Sequence, residues 1–167
     1  DTTVHTYTNP GVFLPLMILN DGLGCTYVVD LNDTVTVGTA QASFSVQPNA
    51  VCLGNITQFD GTAVSSPGNP SYRWFFGDGA SSTQQDPVHT YTSSGQYDIT
   101  FIVENSLCVD TMTVTQAVYV NSGPTAVFAV SDTEACEPAT IQFTDQSIAD
   151  TTISSWFWDF GDGSTST

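Results

Sequence analysis

The stretch Trp74-Phe75-Phe76-Gly77-Asp78-Gly79 recurs near the end of the chain as Trp158-Asp159-Phe160-Gly161-Asp162-Gly163. A Gly-Asp-Gly sequence flanked by aromatic residues suits a metal-binding loop, a phosphate-binding turn or a tight corner between two strands. The first two structures would support chemistry, whereas the third would only shape the fold. The rest of the sequence has to distinguish them, because the turn residues alone do not.

The two copies of this stretch belong to a tandem repeat. Trp74 and Trp158 are 84 positions apart. Several rare residue types at one offset indicate a repeated structural unit. The same offset aligns His5-Thr6-Tyr7 with His89-Thr90-Tyr91, Gly11 with Gly95, Phe44 with Phe128 and Cys52 with Cys136, and Cys25 and Cys108 match one position short of it.

The charge of the chain excludes two classes of partner. One basic residue, Arg73, stands against 17 acidic ones, which gives a net charge of -16. Such a surface repels phosphate groups, so we expect no nucleic-acid partner. The most apolar run, from Val12 to Leu19, is too short to span a bilayer and contains Pro15, so we also expect no direct membrane insertion.

The pattern of apolar residues predicts an all-β fold. Tyr97, Ile99, Phe101 and Val103 alternate with polar residues and should face a core. Trp74 lies where a large ring fills the space between two sheets, and Tyr97, which follows Gly95, suits a tyrosine corner. Short strands separated by turn residues predict a Greek-key β-sandwich of the Ig-like type. We expect strands near residues 42–47, 55–60, 71–76, 86–91, 96–104 and 111–120.

Two short stretches of small, turn-forming residues, 37–41 and 121–125, suggest linkers between repeated units. They divide the chain into the C-terminal half of one domain (1–38), a complete domain (39–121) and the N-terminal half of a third (122–167). We therefore expect the chain to be a segment of a longer array.

The set Trp74-x-Phe76-Gly77-Asp78-Gly79, Pro87-Val88-His89-Thr90-Tyr91 and Gly95-Gln96-Tyr97 resembles the signature of PKD domains. The resemblance implies tandem Ig-like β-sandwiches on an extracellular protein, without catalysis. The additional cysteine pair of each repeat is similar to PKD arrays in giant surface proteins of Bacteroidota, including gliding-motility adhesins exported by the type IX system.

The cysteines indicate an oxidising, extracytoplasmic setting. The complete domain contains Cys52 and Cys108, and one disulfide per domain would join these two. Cys25 and Cys136 would then pair with cysteines outside the chain. Zinc binding is the alternative, but the sequence has no Cys-x-x-Cys pair.

The Gly-Asp-Gly aspartates are candidates for binding calcium. Carboxylates in loops are suitable ligands, and Asp78 and Asp162 would act with Asp60 or Asp145. The alternative is that each turn aspartate accepts hydrogen bonds from its own backbone. Because His89 recurs in the repeat, we expect it to have a structural role rather than a catalytic one.

Two tripeptides, Asp33-Thr34-Val35 and Asp110-Thr111-Met112, resemble the O-glycosylation motif of Bacteroidota, which makes Thr34 and Thr111 candidate sites. Asn32 and Asn55 begin N-glycosylation sequons.

Three functions fit the sequence. The first is a structural and adhesive segment of a long bacterial surface protein, a stalk or filament. Its partners would be neighbouring repeats of the same chain and surface polysaccharide or other surface proteins. The second is a spacer in a secreted hydrolase. The third is a carbohydrate-binding module that uses Trp156 as an exposed aromatic residue.

Overall fold

A computed structural model describes residues 2–30 and 33–167. All regular secondary structure among these residues is β-strand. Residues 2–38, the N-terminal segment, contain the strands β1 (Gly11–Phe13), β2 (Leu16–Asn20), β3 (Thr26–Asp30) and β4 (Val35–Val37).

Residues 39–121 form the central sandwich, which has two sheets. Its strands are β5 (Thr39–Gln47), β6 (Ala50–Cys52), β7 (Ile56–Ser66), β8 (Ser71–Phe75), β9 (Ser81–Ser82), β10 (Val88–Thr90), β11 (Gly95–Glu104) and β12 (Val109–Asn121). One sheet has the order β10-β7-β5 and the other has the order β6-β12-β11-β8-β9. The all-β sandwich expected from the sequence is confirmed. β6 and β9 were not predicted, and β10 is shorter than the expected strand at 86–91.

The core lies between these two sheets. Alternation along β11 buries Ile99, Phe101 and Val103 completely and leaves Tyr97 half-buried, as predicted from the sequence. Trp74 on β8 is also completely buried. Burying a large apolar side chain contributes about 1.5–3 kcal/mol, so this stripe of β11 is a main source of stability.

The chain enters and leaves the central sandwich at opposite ends. Asn105, in the turn between β11 and β12, donates to the carbonyl oxygen of Thr39 at 2.8 Å, so this turn lies beside the start of β5. Asn121, at the far end of β12, pairs with Cys52. β12 has 13 residues, and a rise of about 3.3 Å per residue makes it about 40 Å long.

The C-terminal segment, residues 122–167, repeats the pairing of the first strands of the sandwich. It contains β13 (Phe128–Val130), β14 (Phe143–Asp145), β15 (Trp158–Asp159) and β16 (Thr165–Ser166). Phe128 pairs with Asp145 as Phe44 pairs with Gly61.

The two flanking segments expose residues of the kind that the central sandwich buries. Phe143 is 36% exposed, whereas its repeat mate Phe59 is 0% exposed. In the N-terminal segment, Met17 is 53% exposed and its repeat mate Phe101 is 0% exposed. Each flanking segment therefore leaves exposed an apolar face. In the central sandwich the equivalent face is covered by the second sheet.

Candidate functional site

The Gly-Asp-Gly corner after β8 requires both of its glycines. Gly77 and Gly79 have φ angles of 85° and 93°, in the left-handed region that L residues rarely adopt. At Gly77 a Cβ atom would also lie 2.7 Å from the carbonyl oxygen of Asp98, whereas Gly79 has open space around it. The turn therefore packs directly on the backbone of β11.

Asp78 fastens this corner to the opposite sheet. Its Oδ1 accepts a hydrogen bond from the Ala80 N–H at 2.9 Å, and its Oδ2 lies 2.7 Å from His89 Nε2. Burial raises the pKa of Asp78, but the bonds from Ala80 and His89 lower it more, so the pKa lies below its ordinary value. The His89 ring stacks on Phe76 with the centroids 4.3 Å apart.

Two tyrosines hold the other side of the corner. The Tyr91 hydroxyl is buried and donates to the carbonyl oxygen of Phe76 at 3.1 Å. Burial raises the pKa of Tyr91, and the nearby charge of Asp78 raises it further. Tyr97 donates to the carbonyl oxygen of Ser93 at 2.8 Å, four residues upstream, which is the geometry of a tyrosine corner.

Trp74 is held in the core by hydrogen bonds and by close packing. Its Nε1 donates to the carbonyl oxygens of Gln84 and Gln85 at 3.0 and 3.2 Å. A Cβ atom at Gly61 would lie 2.6 Å from the Gln85 oxygen and 3.0 Å from the Trp74 ring. The Phe101 ring would lie closer still than the Trp74 ring, at 2.8 Å, so the Gln85 backbone and these two rings together require Gly61, which the sequence did not single out.

The second corner repeats the internal bonding of the first. Asp162 Oδ1 accepts from the Ser164 N–H at 2.8 Å, and this bond lowers the pKa of Asp162. Gly161 and Gly163 have φ angles of 81° and 90°. Trp158, the repeat mate of Trp74, is only half-buried, because no second sheet packs against the C-terminal segment in which it lies.

The four calcium candidates do not converge on one site. Asp60 Oδ1 accepts from Gln58 Nε2 at 3.3 Å. Asp145 accepts from Ser147 and from Trp156 Nε1, and these bonds lower its pKa. Within residues 2–30 and 33–167, no group of three or more His, Cys, Asp or Glu side chains is placed to hold a metal. Calcium binding stays a prediction of the sequence alone, and the bond from the Ala80 N–H to Asp78 favours its alternative, a turn aspartate that accepts from its own backbone.

The predicted disulfide between Cys52 and Cys108 is wrong for this fold. Cys52 pairs with Asn121 at the last residue of β12, whereas Cys108 directly precedes the first, Val109. The two cysteines are therefore about 40 Å apart, and a disulfide joins Cα atoms no more than about 7 Å apart. The sequence reasoning failed because the number of cysteines says nothing about strand length. Four thiols are free: Cys25, Cys52, Cys108 and Cys136.

Three polar side chains whose structural role was not predicted from the sequence bind backbone N–H groups in the central sandwich. Asp110 Oδ2 accepts from the Ala42 N–H at 2.8 Å, and Asp98 Oδ1 accepts from the Gln116 N–H at 2.7 Å. Asn105 Oδ1 accepts from the Cys108 N–H at 2.8 Å. Only Asn105 could have been found from the sequence, because asparagine in a turn commonly binds the backbone a few residues further on.

The candidate glycosylation sites lie on the surface. Thr34, Thr111 and Asn55 are exposed, and Asn32 lies outside the described residues. Modification of these residues stays a prediction.

Trp156 is the candidate for sugar stacking that the sequence indicated. It is 46% exposed and borders an open cleft of about 230 Å³ that Phe128 and Trp158 also line. Its repeat mate Tyr72, however, stacks on the core residue Phe101 with the centroids 6.0 Å apart. The exposure of Trp156 therefore reflects the uncovered apolar face of its segment.

The sandwich and its repeated corner define a class of Ig-like β-sandwich modules. The PKD domain family matches residues 40–120 and 121–167, and the chain belongs to this family. PKD domains are typically extracellular and often act as adhesive or spacer modules. The described residues form no helix long and apolar enough to cross a membrane.

Similar proteins include human Polycystin-1, which is 30% identical over 107 residues, or 62% of this chain. The chain spans 2% of the length of that relative. A solved structure of carbohydrate-binding modules from the beta-sandwich super family is 18% identical, with a TM-score of 0.45 over 62% of this chain and 52% of the other.

Proposed function

We propose that this chain is a structural segment of a long extracellular surface protein, in which PKD modules follow one another as a stalk that presents or reinforces an adhesive surface. Residues 39–121 act as one complete module. Residues 1–38 and 122–167 act as the second and the first half of neighbouring modules.

The position of the two linkers is the observation that carries this proposal. The turn that contains Asn105 lies beside the first linker, at one end of the central sandwich, and Asn121 begins the second linker at the other end. A chain that enters each module at one end and leaves at the other connects successive modules end to end. An array of such modules is therefore extended rather than clustered.

The chemistry of the corner supports a structural role as well. Asp78 and His89 bind each other at 2.7 Å, with side-chain exposures of 20% and 16%, and the Tyr91 hydroxyl is bound to a backbone oxygen. These groups are already hydrogen-bonded within the fold. The net charge of -16 adds repulsion between neighbouring modules, which favours extension.

Small-angle X-ray scattering tests the proposal on chains that contain one, two and three consecutive complete modules. The largest dimension should increase by about 40 Å per module, the length of β12. High salt should shorten the array only slightly, because short linkers limit bending. A dimension that levels off after the second module would show that the modules fold back, and the stalk would be rejected.

A bacterial surface adhesin of the gliding-motility type is our more specific proposal, supported by the cysteine pair that each repeat carries. A spacer in a secreted hydrolase is the same structural role in a different parent protein, and the flanking sequence distinguishes them. Binding to surface polysaccharide is tested on a glycan array with the complete module. Signal from the wild-type module that is lost on a Phe75→Ala change would favour carbohydrate binding, because Phe75 is exposed on that module.

A further inference from the structure

Cys108 lies against the linker that precedes the central sandwich. Its Sγ is 3.1 Å from the position that a Cβ atom would take on Gly38. The turn that carries it is fixed, because Asn105 Oδ1 accepts from the N–H groups of Leu107 and Cys108 at 2.9 and 2.8 Å. In the N-terminal segment, Asp21 Oδ1 binds the N–H groups of Leu23 and Cys25 in the same way.

Cys52 lies against the linker that follows the sandwich. It is the Cα partner of Asn121 in the parallel pairing of β6 with β12, and the Leu53 N–H donates to the Asn121 carbonyl oxygen at 2.8 Å. The Cys52 side chain is exposed. Each linker of the central sandwich therefore has one cysteine of this sandwich beside it.

The repeat brings these two kinds of cysteine to the same linker. Gly38 and Ser122 are 84 positions apart and are equivalent. Asn121 thus borders Cys52 of the preceding module, and Ser122 borders the position of the turn cysteine of the following module. Adjacent Cα atoms are about 3.8 Å apart and paired strands about 4.8 Å apart, so both cysteines lie within a few side-chain lengths of each other.

We propose that a disulfide joins neighbouring modules across each linker, from the β6 cysteine of one module to the turn cysteine of the next. The inference rests on the proposed end-to-end array. The oxidant is a small disulfide that reacts by thiol–disulfide exchange. Each cysteine thiol loses a proton, the two together lose two electrons, and the oxidant is reduced to two thiols. Exposed apolar residues, Leu53 at 42% and Leu107 at 53%, lie next to the two cysteines and would meet at the same boundary.

The proposal predicts the pairing of all four cysteines. Cys52 and Cys136 are β6-type cysteines, and each should bind the turn cysteine of the module after it. Cys108 and Cys25 are turn cysteines, and each should bind the β6-type cysteine of the module before it. The disulfide would fix the orientation of successive modules, because it connects them at a second point beside the linker.

The experiment compares two chains, oxidised at low concentration with a glutathione redox buffer and analysed by alkylation and non-reducing peptide mapping. The first chain is residues 1–167. The second chain continues with one glutamine, the repeat mate of Gln84, and a second copy of residues 1–38, which supplies the missing half of the third module. In the first chain Cys52 should remain open to alkylation.

In the extended chain, Cys52 should be linked to Cys25 of the second copy and should lose its reactivity. Cys52→Ser should abolish this link. Cys136→Ser is the matched control: it removes another β6-type cysteine, at the far end of the third module, and should leave the link intact. Thermal unfolding should show that the third module has folded.

Two cysteine-mapping results would overturn the proposal: a link between Cys52 and Cys108 in either chain, or a folded extended chain in which Cys52 stays reactive. A third module that fails to fold would also contradict it, because the link requires that residues 1–38 complete residues 122–167. Scattering of the same chain after reduction separates this inference from the stalk. An extended shape with free thiols would reject the disulfide and retain the array.

Discussion

Replacing Gly77 by alanine should destabilise the central sandwich more than the same change at Gly79. Both residues have positive φ angles, 85° and 93°, so both substitutions impose the same backbone strain. For an L residue in the left-handed region this strain is roughly 1–2 kcal/mol. The pair therefore separates backbone strain from side-chain crowding within one turn.

Only Gly77 adds a clash with the neighbouring strand. Its Cβ atom would lie 2.7 Å from the Asp98 carbonyl oxygen and 3.1 Å from the Asp98 nitrogen. These are backbone atoms in a hydrogen-bonded sheet and cannot rotate away. Overpacking of this kind costs about 1–3 kcal/mol, so Gly77→Ala should lose about 2–5 kcal/mol in total and Gly79→Ala about 1–2 kcal/mol.

Urea unfolding followed by tryptophan fluorescence measures the difference. The chain has three tryptophans, so changing Trp156 and Trp158 to phenylalanine leaves Trp74 as the reporter of the central sandwich. Each kcal/mol of stability that Gly77→Ala loses beyond Gly79→Ala corresponds to a melting temperature lower by about 4–8 °C. Equal losses at the two glycines would refute the close packing of the corner on β11.

Three further predictions concern the groups around the corner. Asp78→Asn should make the free energy of unfolding depend less on pH in the acid range. Because the folded pKa of Asp78 is lowered, its contribution is present above the unfolded pKa of about 3.9 and is lost as the pH falls through the folded pKa. Unfolding curves between neutral and acidic pH check this, with equal slopes for both proteins as the contrary result. Tyr91→Phe should cost about 1–3 kcal/mol because it leaves the buried Phe76 oxygen unpaired, whereas Tyr97→Phe, whose partner is exposed, should cost about 1 kcal/mol in chemical denaturation. Calcium should leave the melting temperature unchanged relative to chelator, because Ala80 and His89 already occupy the oxygens of Asp78; a calcium-dependent rise that Asp78→Asn removes would contradict this.

Much of the candidate site followed from the sequence because its residues act locally. The glycines of the corner, the aspartate that caps it and the tyrosine corner at Tyr97 involve partners within a few positions or in the next strand. The repeat indicated a structural role for His89, and its Nε2 lies 2.7 Å from Asp78 Oδ2. Asp110 carried no such signal, since it binds a backbone nitrogen of Ala42, 68 positions away, and Asp98 carried none because its bond to the Gln116 N–H depends on the local register of β11 and β12.

The sequence by itself determined the repeat, the all-β class, the buried face of β11 and the family, because alternation and an 84-residue offset are properties of chain order. The tertiary structure alone decided which distant residues meet. Gly61 has no turn signal, yet the Gln85 carbonyl oxygen and the Phe101 ring leave no room for a Cβ atom there. Cys52 and Cys108 share a module but lie at opposite ends of β12, since their distance depends on strand register and length. Sequence spacing does not fix either quantity.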